Sequence, residues 1–333
     1  MVQLKNNMVN WGIVGLGSMG NAFANAINEV KNAQLIGVAS KSNSKLEVFS
    51  KNFKIKTENR FLNYKELLSS TKIDAIYIST LNNTHVDLIL NCVKNNKKIL
   101  CEKPIGLNLD QAKLALEAIE KNNTSFYEAI AYRSHPQTQS LLKLIDNGEI
   151  GKIYKIESSF GFKVRKIKKD SRLFNKDTGG GAILDLGCYP ISFFNLFADK
   201  ESKISFNSAE GTYCSTDVDD DAKIKLKIGN NIEAIAQVSL RRNLNNNCKI
   251  YGEKGNIIIP SPWLPSKKSY IEIENSRSYY KKFVTIEKSV YATQVEMISN
   301  LFSDKQLNNI NNVNINESIE IMKILEIWKE NLS

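Results

Sequence analysis

The apolar positions follow one pattern in the first 125 residues and another after about residue 148. In the first part, short apolar runs alternate with stretches whose apolar residues recur every three or four positions, as expected for the strands and helices of a parallel sheet. The runs predict strands at 9–14, 34–39, 74–79, 98–101 and 124–128. The last helix of this part is predicted from Ala112, Ala115 and Ile119, which share one face, with Asn108 as a candidate N-cap.

Longer strand-like runs dominate the second part of the chain. They lie at 153–164, 204–213, 222–228, 232–240 and 248–251, separated by turns rich in Asn and Gly. We predict a large, mostly antiparallel sheet with helical segments at 181–197 and 294–302 packed on it. Ile321, Leu325 and Trp328 predict a closing helix, which is able to return to the first domain. The predicted fold class is an α/β domain with a parallel sheet at 1–125, followed by an α+β domain at 126–333 that binds substrate and mediates oligomerisation.

The composition argues against several kinds of protein. A length of 333 residues suits two domains, and 42% hydrophobic and 24% charged residues are ordinary for a globular protein. No apolar run reaches about 18 residues, and the N-terminal residues lack the features of a signal peptide, so we expect a cytoplasmic protein without a membrane partner. Five cysteines that never form C-x-x-C, and only two histidines, argue against a disulfide framework and a metal site. The chemistry must then come from other side chains or from an organic cofactor.

The formal net charge of +10 raises the question of nucleic-acid binding. The lysines are scattered along the chain and only one segment, 163–172, is densely basic, so no nucleic-acid partner is expected. A solvated loop is the simplest interpretation of this basic segment. If the segment overhangs a ligand cleft, it would instead attract an anionic substrate such as a sugar phosphate or a nucleotide sugar.

A glycine-rich loop follows the first predicted strand directly and opens a predicted helix. It matches G-x-G-x-x-G, and its residues are Gly15, Leu16, Gly17, Ser18, Met19 and Gly20. In this context the first glycine permits a tight turn, the second lets the backbone approach a pyrophosphate, and the third allows close helix–strand packing. The helix N-terminus adds backbone amides and a positive dipole end. We therefore predict a Rossmann domain that binds a dinucleotide, rather than an ordinary strand–helix turn.

The end of the second strand indicates which dinucleotide is bound. An Asp or Glu at this position would bond the ribose 2′-hydroxyl and repel a 2′-phosphate. The sequence has Ser40, Lys41 and Ser42 instead, and its next acid is Glu47. NADP is therefore the preferred cofactor, with Ser40 and Lys41 as contacts. NAD is the alternative if Lys41 merely points into solvent.

Four further segments contain residues suited to chemistry. They read STLNNTH at 79–85, CEKP at 101–104, EAIAYRSHP at 128–136 and GGGAILDLGCYP at 179–190. Together with the glycine loop they resemble the Gfo/Idh/MocA oxidoreductase family over essentially the whole chain. Within that family they are most similar to the branch of NADP-dependent D-xylose dehydrogenase, dimeric dihydrodiol dehydrogenase and glucose–fructose oxidoreductase. Many members have His where this chain has Tyr189.

The same motifs supply the remaining predicted cofactor contacts. These are Thr80, Leu81, Asn82, His85, Glu102, Lys103 and Arg133. His85 is interpreted as a structural or cofactor-side residue rather than as a catalytic base. His135 is interpreted as a residue that orders the crossover between domains, with Tyr132 and Arg133 within reach of the cleft.

Hydride transfer between a nicotinamide and a carbinol carbon requires one proton to move at the substrate oxygen. We assign Tyr189 as the general acid/base, which requires its pKa to lie below the usual value of about 10. Lys103 follows a strand at the edge where open α/β sheets place ligands, and its ammonium would favour the phenolate; the family resemblance implies the same two roles. Asp185 would orient the substrate hydroxyl or Lys103, on the same helical face as Tyr189 unless Pro190 breaks the helix. Taken singly, a surface lysine, a core tyrosine and an aspartate cap are the ordinary alternatives.

The leading hypothesis is an NADP-dependent dehydrogenase of an aldose or a cyclic polyol. A ketoreductase that acts on a nucleotide-activated sugar is the enzymatic alternative, which the basic segment would favour. A non-catalytic, cofactor-sensing regulator is the alternative of another class, but such a protein has little reason to keep both Lys103 and Tyr189. The apolar run at 232–240 suggests a homodimer or tetramer formed through the second sheet, in keeping with the family resemblance.

Overall fold

The computed structural model describes residues 8–198, 203–303 and 311–332. The chain divides into two compact units, and each is assembled from several stretches of sequence. Unit 1 comprises Met1–Ile105, Asp110–Ser134 and Lys288–Ile315. Unit 2 comprises Gly106–Leu109, His135–Glu287 and Asn316–Ser333.

The regular elements of the described residues are numbered in chain order. The strands are β1 (Val9–Val14), β2 (Ala33–Ala39), β3 (Arg60–Phe61), β4 (Ala75–Ile78), β5 (Lys98–Cys101), β6 (Phe126–Glu128), β7 (Ile153–Gly161), β8 (Ile204–Tyr213), β9 (Asp219–Ile228), β10 (Ile232–Ser239), β11 (Cys248–Gly252), β12 (Gly255–Ile259), β13 (Lys268–Asn275) and β14 (Tyr279–Thr285). The α-helices are α1 (Ser18–Ile27), α2 (Asn43–Asn52), α3 (Tyr64–Ser69), α4 (His85–Lys94), α5 (Leu109–Lys121), α6 (Pro136–Asp146), α7 (Cys188–Phe194), α8 (Val290–Phe302) and α9 (Ile315–Glu330).

Unit 1 contains a six-stranded sheet in the order β3-β2-β1-β4-β5-β6. All of its neighbouring strands run parallel. The central strand β4 is buried along its whole length, which accounts for its uninterrupted apolar run. The strand order reverses between β1 and β4, so their carboxyl ends form the crevice where open α/β sheets bind ligands.

Aromatic side chains from distant parts of the sequence form the centre of the unit 1 core. The ring of Phe23 stacks on Tyr77 with 3.9 Å between centroids and meets Trp11 edge-on at 5.1 Å. Trp11 also packs against Phe302 of α8 and donates its indole N–H to the Ser299 hydroxyl at 3.0 Å. α8 thus belongs to unit 1, and the prediction that the helix at 294–302 packs on the second sheet is wrong. This helix packs on Trp11, which lies 288 positions before Ser299 in the sequence. The apolar pattern of the helix itself cannot reveal such a distant partner.

Unit 2 contains an eight-stranded sheet in the order β14-β13-β12-β11-β7-β10-β9-β8. Its neighbouring strands are antiparallel except β7 and β10, which run parallel. Along β10, Ala234, Ala236 and Val238 are fully buried on one face. Helices cover this sheet, since α6 contacts β13 and β14 while α7 contacts β7 and β10.

The opposite face of this sheet is mixed in polarity. On β10 it presents Glu233, Ile235 and Gln237, which are exposed or half-buried. Lys155 and Glu157 of β7 form an ion pair of 2.8 Å on the same face. Most apolar side chains of the run at 232–240 are therefore used inside unit 2. A homodimer or tetramer formed through this sheet stays a prediction.

The fold class predicted from the sequence is confirmed, with a parallel α/β sheet followed by a large, mostly antiparallel sheet. The bounds of β1, β5 and β8 are the predicted ones, and the closing helix is present as α9. Strands β3, β12, β13 and β14 are additional to the prediction. Among the described residues, no helix combines the length and the apolar character that crossing a bilayer requires.

Candidate active site

The glycine loop joins β1 to α1, and its three glycines meet three different requirements. Gly15 has a φ of +96°, and a Cβ on it would lie 2.7 Å from the carbonyl oxygen of Ser79. A Cβ on Gly20 would lie 2.5 Å from the Gly15 oxygen, whereas a Cβ on Gly17 would meet nothing within 4 Å. Gly17 is the N-cap of α1, and no side chain caps its first turn, as a phosphate-binding helix start requires. Of the residues between the glycines, Leu16 is buried, Ser18 is exposed and Met19 is half-buried.

The end of β2 lies beside the glycine loop and presents Lys41. The Gly15 N–H donates to the Ala39 carbonyl at 3.1 Å, which ties the loop to the strand end. Ser40 is buried and its hydroxyl accepts the Ser42 N–H at 3.1 Å, while the Ser42 hydroxyl caps α2. The two hydroxyls therefore shape the turn, and the exposed Lys41 is the cation that the turn presents.

His85 links two of the predicted cofactor segments inside unit 1. It is fully buried, with Nδ1 2.9 Å from the Pro104 oxygen and Nε2 3.2 Å from the Thr80 oxygen. Burial lowers the pKa of His85, the two carbonyl oxygens oppose that shift, and the charge of Lys103 lowers the pKa further. His85 thus connects the segments that contain Thr80 and Lys103. The predicted contacts in the preceding turn are half-buried or exposed: Thr80, Leu81 and Asn82.

β5 ends at Cys101 and places Glu102 and Lys103 at the carboxyl edge of the sheet. Glu102 is buried and accepts a short hydrogen bond from the Tyr77 hydroxyl, and burial followed by this carboxylate raises the pKa of Tyr77 well above its ordinary value. Lys103 is half-buried, near Tyr291, whose pKa is raised by burial and lowered by the Lys103 charge. Glu102 therefore anchors the segment in the core, whereas Lys103 remains accessible.

Arg133 lies in the turn Ala131–Ser134 of unit 1 and is buried. Its Nε donates to the Asn311 carbonyl at 2.6 Å, and the neighbouring Ser134 hydroxyl donates to the Asn312 side chain at 2.5 Å. These bonds fix the turn against Asn311 and Asn312. A contact from Arg133 to the cofactor stays a prediction.

In unit 2 a buried carboxylate that the motifs do not include holds the glycine-rich segment. Gly181 has a φ of +116° and packs so closely on Asp219 that a Cβ would overlap the carboxylate. Asp219 accepts the Ile183 N–H at 2.6 Å and also a hydrogen bond from the Ala182 backbone. Burial raises the pKa of Asp219, and these hydrogen bonds lower it in part. The sequence signal for this residue is three consecutive aspartates at the start of a strand.

The segment that follows stays helical through Pro190. Ile183–Gly187 forms a π-helical turn that runs directly into α7 at Cys188, and Pro190 lies in the first turn of α7, so the proline does not break the helical segment. Asp185 and Tyr189 therefore lie about one turn apart on one helical segment. π-helical turns occur frequently at functional sites.

Arg172 connects the basic segment 163–172 to Asp185. Its guanidinium donates to the Asp185 carboxylate at 2.8 Å. The Asp185 side chain is only 7% exposed, whereas that of Arg172 is 56% exposed. Residues 165–170 are exposed, as expected of a solvated loop, but the end of the basic segment is ion-paired at the candidate site. The sequence offers no signal for this pairing.

An aromatic wall, defined here as Phe160, Trp263 and Phe193, packs around Tyr189. Phe160 meets the Tyr189 ring edge-on at 5.1 Å between centroids, and Trp263 lies 6.3 Å away. Trp263 is buried, meets Phe193 at 5.8 Å, and donates its indole N–H to the Ser159 carbonyl at 2.8 Å. Rigid apolar rings thus hold the Tyr189 ring, while Tyr189 as a whole is only half-buried.

The structure groups the predicted site residues within each unit. In unit 1 the glycine loop, the end of β2, the Thr80 segment and Lys103 all lie at the carboxyl ends of neighbouring strands. In unit 2 Asp185 and Tyr189 share a helical segment. The approach of Lys103 to Tyr189 at one ligand stays a prediction. Within the described ranges, no group of three or more His, Cys, Asp or Glu side chains is arranged to hold a metal ion.

Comparison with known proteins identifies the family of this chain. Residues 9–129 match the Gfo/Idh/MocA oxidoreductase model, with an NAD-binding Rossmann fold, and residues 138–258 match the C-terminal domain of the same family. A trans-1,2-dihydrobenzene-1,2-diol dehydrogenase of Xenopus tropicalis is 31% identical over 259 residues, which cover 77% of this chain and 77% of the relative. The chain belongs to the Gfo/Idh/MocA oxidoreductase family.

A further relative and two solved structures are also similar to this chain. The Mus musculus dehydrogenase of the same name is 29% identical over 261 residues, covering 77% of this chain and 76% of its own. Among solved structures, a 3-ketoreductase of Actinomadura kijaniata in complex with NADP and TDP-benzene has a TM-score of 0.87 at 18% identity, covering 98% of both chains. An aldose-aldose oxidoreductase of Caulobacter crescentus has a TM-score of 0.87 at 17% identity, covering 97% of both chains. The structural likeness shows the fold, and membership makes the chain an NAD(P)-binding oxidoreductase.

The residues of unit 1 fit the dinucleotide that the Gfo/Idh/MocA family binds. The open space around Gly17 and the uncapped first turn of α1 suit a pyrophosphate. The end of β2 presents Lys41, and residues 39–42 include no carboxylate that would repel a 2′-phosphate.

Proposed function

We propose that this oxidoreductase uses NADP(H) and acts on a carbinol carbon of a cyclic diol or sugar-like substrate, with Tyr189 as the general acid/base. The observation that supports this most is the setting of Tyr189. Its phenol stands in the first turn of α7, held by the aromatic wall and one turn after the ion-paired Asp185. A preference for NADP(H) rests on Lys41 at the end of β2, where a carboxylate would favour NAD(H).

The proton moves at the Tyr189 hydroxyl oxygen. During oxidation this oxygen, as phenolate, accepts the proton of the substrate hydroxyl, and during reduction the phenol returns it. The Lys103 ammonium stabilises the phenolate electrostatically, and Asp185 orients the substrate hydroxyl. When bound, the nicotinamide ring accepts or supplies the hydride.

The aromatic wall bears on the substrate class. Trp263 and Phe193 are buried, whereas Phe160 and Tyr189 are half-buried. These two accessible rings offer a surface for the apolar face of a carbocyclic diol or a sugar ring, while its hydroxyls reach polar groups such as Asp185. The relatives that are about 30% identical are named for a dihydrobenzene diol. A cyclic vicinal diol is therefore the first substrate to test, followed by aldoses.

The experiment measures NADP⁺ and NAD⁺ reduction with trans-1,2-dihydrobenzene-1,2-diol, D-xylose and myo-inositol. The Tyr189→Phe variant should lose about 100- to 10,000-fold in kcat/KM, the usual contribution of a general acid/base, with an unchanged Kd for NADPH. Tyr213→Phe is the matched control, because Tyr213 is 56% exposed on β8. Unchanged turnover in Tyr189→Phe would refute the assignment.

A second candidate is a ketoreductase acting on a nucleotide-activated sugar. The Arg172–Asp185 ion pair favours it, because the pair places the end of the basic segment at the candidate site. An anionic substrate would be attracted electrostatically, so its KM should rise steeply with salt. A KM for a nucleotide sugar that is independent of salt, or no turnover of such a substrate, removes this candidate.

A further inference from the structure

A cleft in unit 1 adjoins the end of β2 and is not explained by the motifs. Its volume is about 360 Å³, and its lining includes Lys41, Asn63, Tyr64, Lys65, Leu88 and Asn91. These residues combine two ammonium groups, two side-chain amides and an apolar floor. Such a lining suits a purine nucleoside that bears a phosphate.

Tyr64 is the residue of this cleft that contacts Lys41 twice. Its phenol oxygen accepts a hydrogen bond from the Lys41 backbone N–H. The Lys41 Nζ lies 5.5 Å from the centroid of the Tyr64 ring, within cation–π range. Tyr64 thus engages the backbone and the side chain of the same lysine.

The position of Tyr64 is itself fixed by the chain around it. Tyr64 is the first residue of α3, and the Asn63 side-chain oxygen caps that helix by accepting the Lys65 N–H at 2.9 Å. Burial raises the pKa of Tyr64, and the hydrogen bond from the Lys41 backbone opposes that rise. A lysine ammonium on a flexible stem loses freedom when it binds, and a ring that holds it beforehand reduces that loss.

We infer that Tyr64 is a positioning residue for 2′-phosphate recognition, because it holds Lys41 ready at the end of β2. The inference rests on the proposed preference for NADP(H) and adds the residue that enforces it. Tyr64 contributes through Lys41, so its effect appears only with ligands that have a 2′-phosphate.

The test uses two probes that differ in the 2′-phosphate, 2′,5′-ADP and 5′-AMP, with calorimetric measurement of Kd. Tyr64→Leu should weaken 2′,5′-ADP binding by about tenfold and 5′-AMP binding by less than about twofold. Tyr64→Phe keeps the ring and loses the hydrogen-bond acceptor, so it should lose about two- to fivefold for 2′,5′-ADP. Leu62→Ala, another lining residue of the cleft, is the control and should affect both probes equally.

The double variant Lys41→Ala/Tyr64→Leu should bind 2′,5′-ADP no more weakly than Lys41→Ala alone. Equal weakening of both probes in Tyr64→Leu, or additive losses in the double variant, would overturn the inference while the NADP(H) preference stands. If the unaltered protein binds the two probes equally, the preference itself fails. Should Tyr64→Leu unfold, the Tyr64→Phe series decides between the same outcomes.

Discussion

The glycine loop of unit 1 and the segment 179–190 of unit 2 are both glycine-rich, but they are held in place differently. The glycine loop is shaped by close backbone contacts, since a Cβ on Gly15 would clash with the Ser79 carbonyl oxygen and a Cβ on Gly20 with that of Gly15. The segment 179–190 is shaped by side chains from elsewhere, namely Asp219, Arg172 and the aromatic wall.

This difference determines what each region presents to a ligand. A backbone-shaped loop offers amides and a helix start, which suit a phosphate common to many ligands. A segment held by side chains offers Tyr189 and Asp185 in a setting that changes whenever the supporting residues change. The first arrangement suits an invariant cofactor, and the second suits a substrate that differs between relatives.

Two glycine substitutions sharpen the first half of the comparison and should have the largest effect. Gly15→Ala should destabilise the protein by about 3–4 kcal/mol, because left-handed strain adds to the clash with Ser79. Gly17→Ala should leave stability unchanged, since a Cβ there meets nothing within 4 Å, yet weaken NADPH binding by about tenfold or more. Urea unfolding and NADPH fluorescence titration measure the two effects. Similar destabilisation by both substitutions would show that the glycines do not have separate roles.

Removal of Asp219 tests the second half of the comparison. Asp219→Ala leaves the Ile183 and Ala182 N–H groups buried without their acceptor, so unfolding free energy should fall by about 2–3 kcal/mol. Asp219→Asn keeps an acceptor oxygen and should lose less than half of that. Glu210→Gln, on an exposed ion pair with Lys223, is the control and should cost less than about 0.5 kcal/mol. If Asp219→Ala costs no more than this control, the carboxylate does not hold the segment.

The same difference explains which parts of the site the sequence could predict. Because Gly15 and Gly20 have no room for a Cβ, the loop carries a recognisable glycine motif. The strand before it and the helix after it follow from local apolar spacing. The loop and the position of Lys41 at a strand end were therefore predictable. Asp185 and Tyr189 were predictable only through resemblance to a family. Their supports were not, because the Arg172–Asp185 and Asp219–Ile183 pairs join residues 13 and 36 positions apart whose local patterns are ordinary.

The fold shows the same division. Ala112, Ala115 and Ile119 form the predicted buried face of α5. Strand β13 buries Ile271 and Ile273 and alternates them with more polar positions. This alternation is typical of a strand, and β13 pairs with β12 and β14. The location of α8 depends on Trp11 and could not be read from its own amphipathic face, because an apolar stripe specifies burial but not the partner.

The two histidines differ in their hydrogen-bond partners, and this difference should make stability depend on pH, with a smaller effect than the substitutions above. Both nitrogens of His85 face carbonyl oxygens, whereas His135 uses Nδ1 to accept the Gln137 N–H, and its Nε2 is buried with no partner among the described residues. Burial lowers the pKa of His135 from 6.5 to about 4. The unfolded chain therefore takes up a proton before the folded chain does, and stability is lost as pH falls from about 6.5 to about 4.

His135→Asn keeps an N-cap acceptor and removes the titration. Between pH 7 and pH 5 the unaltered protein should lose about 2 kcal/mol more unfolding free energy than the variant does. Urea unfolding at the two pH values measures this difference. Parallel losses in both proteins would mean that His135 titrates in the folded state as it does in the unfolded chain.

We propose that Lys103 and Tyr189 act on the same substrate oxygen, and a double-mutant cycle on kcat/KM with a cyclic diol tests this proposal directly. If the ammonium works by stabilising the phenolate, Lys103→Ala in the Tyr189→Phe background should change kcat/KM by less than about threefold, although alone it costs about 100-fold or more. Independent, multiplicative losses from the two substitutions, at an unchanged Kd for NADPH, would contradict the account.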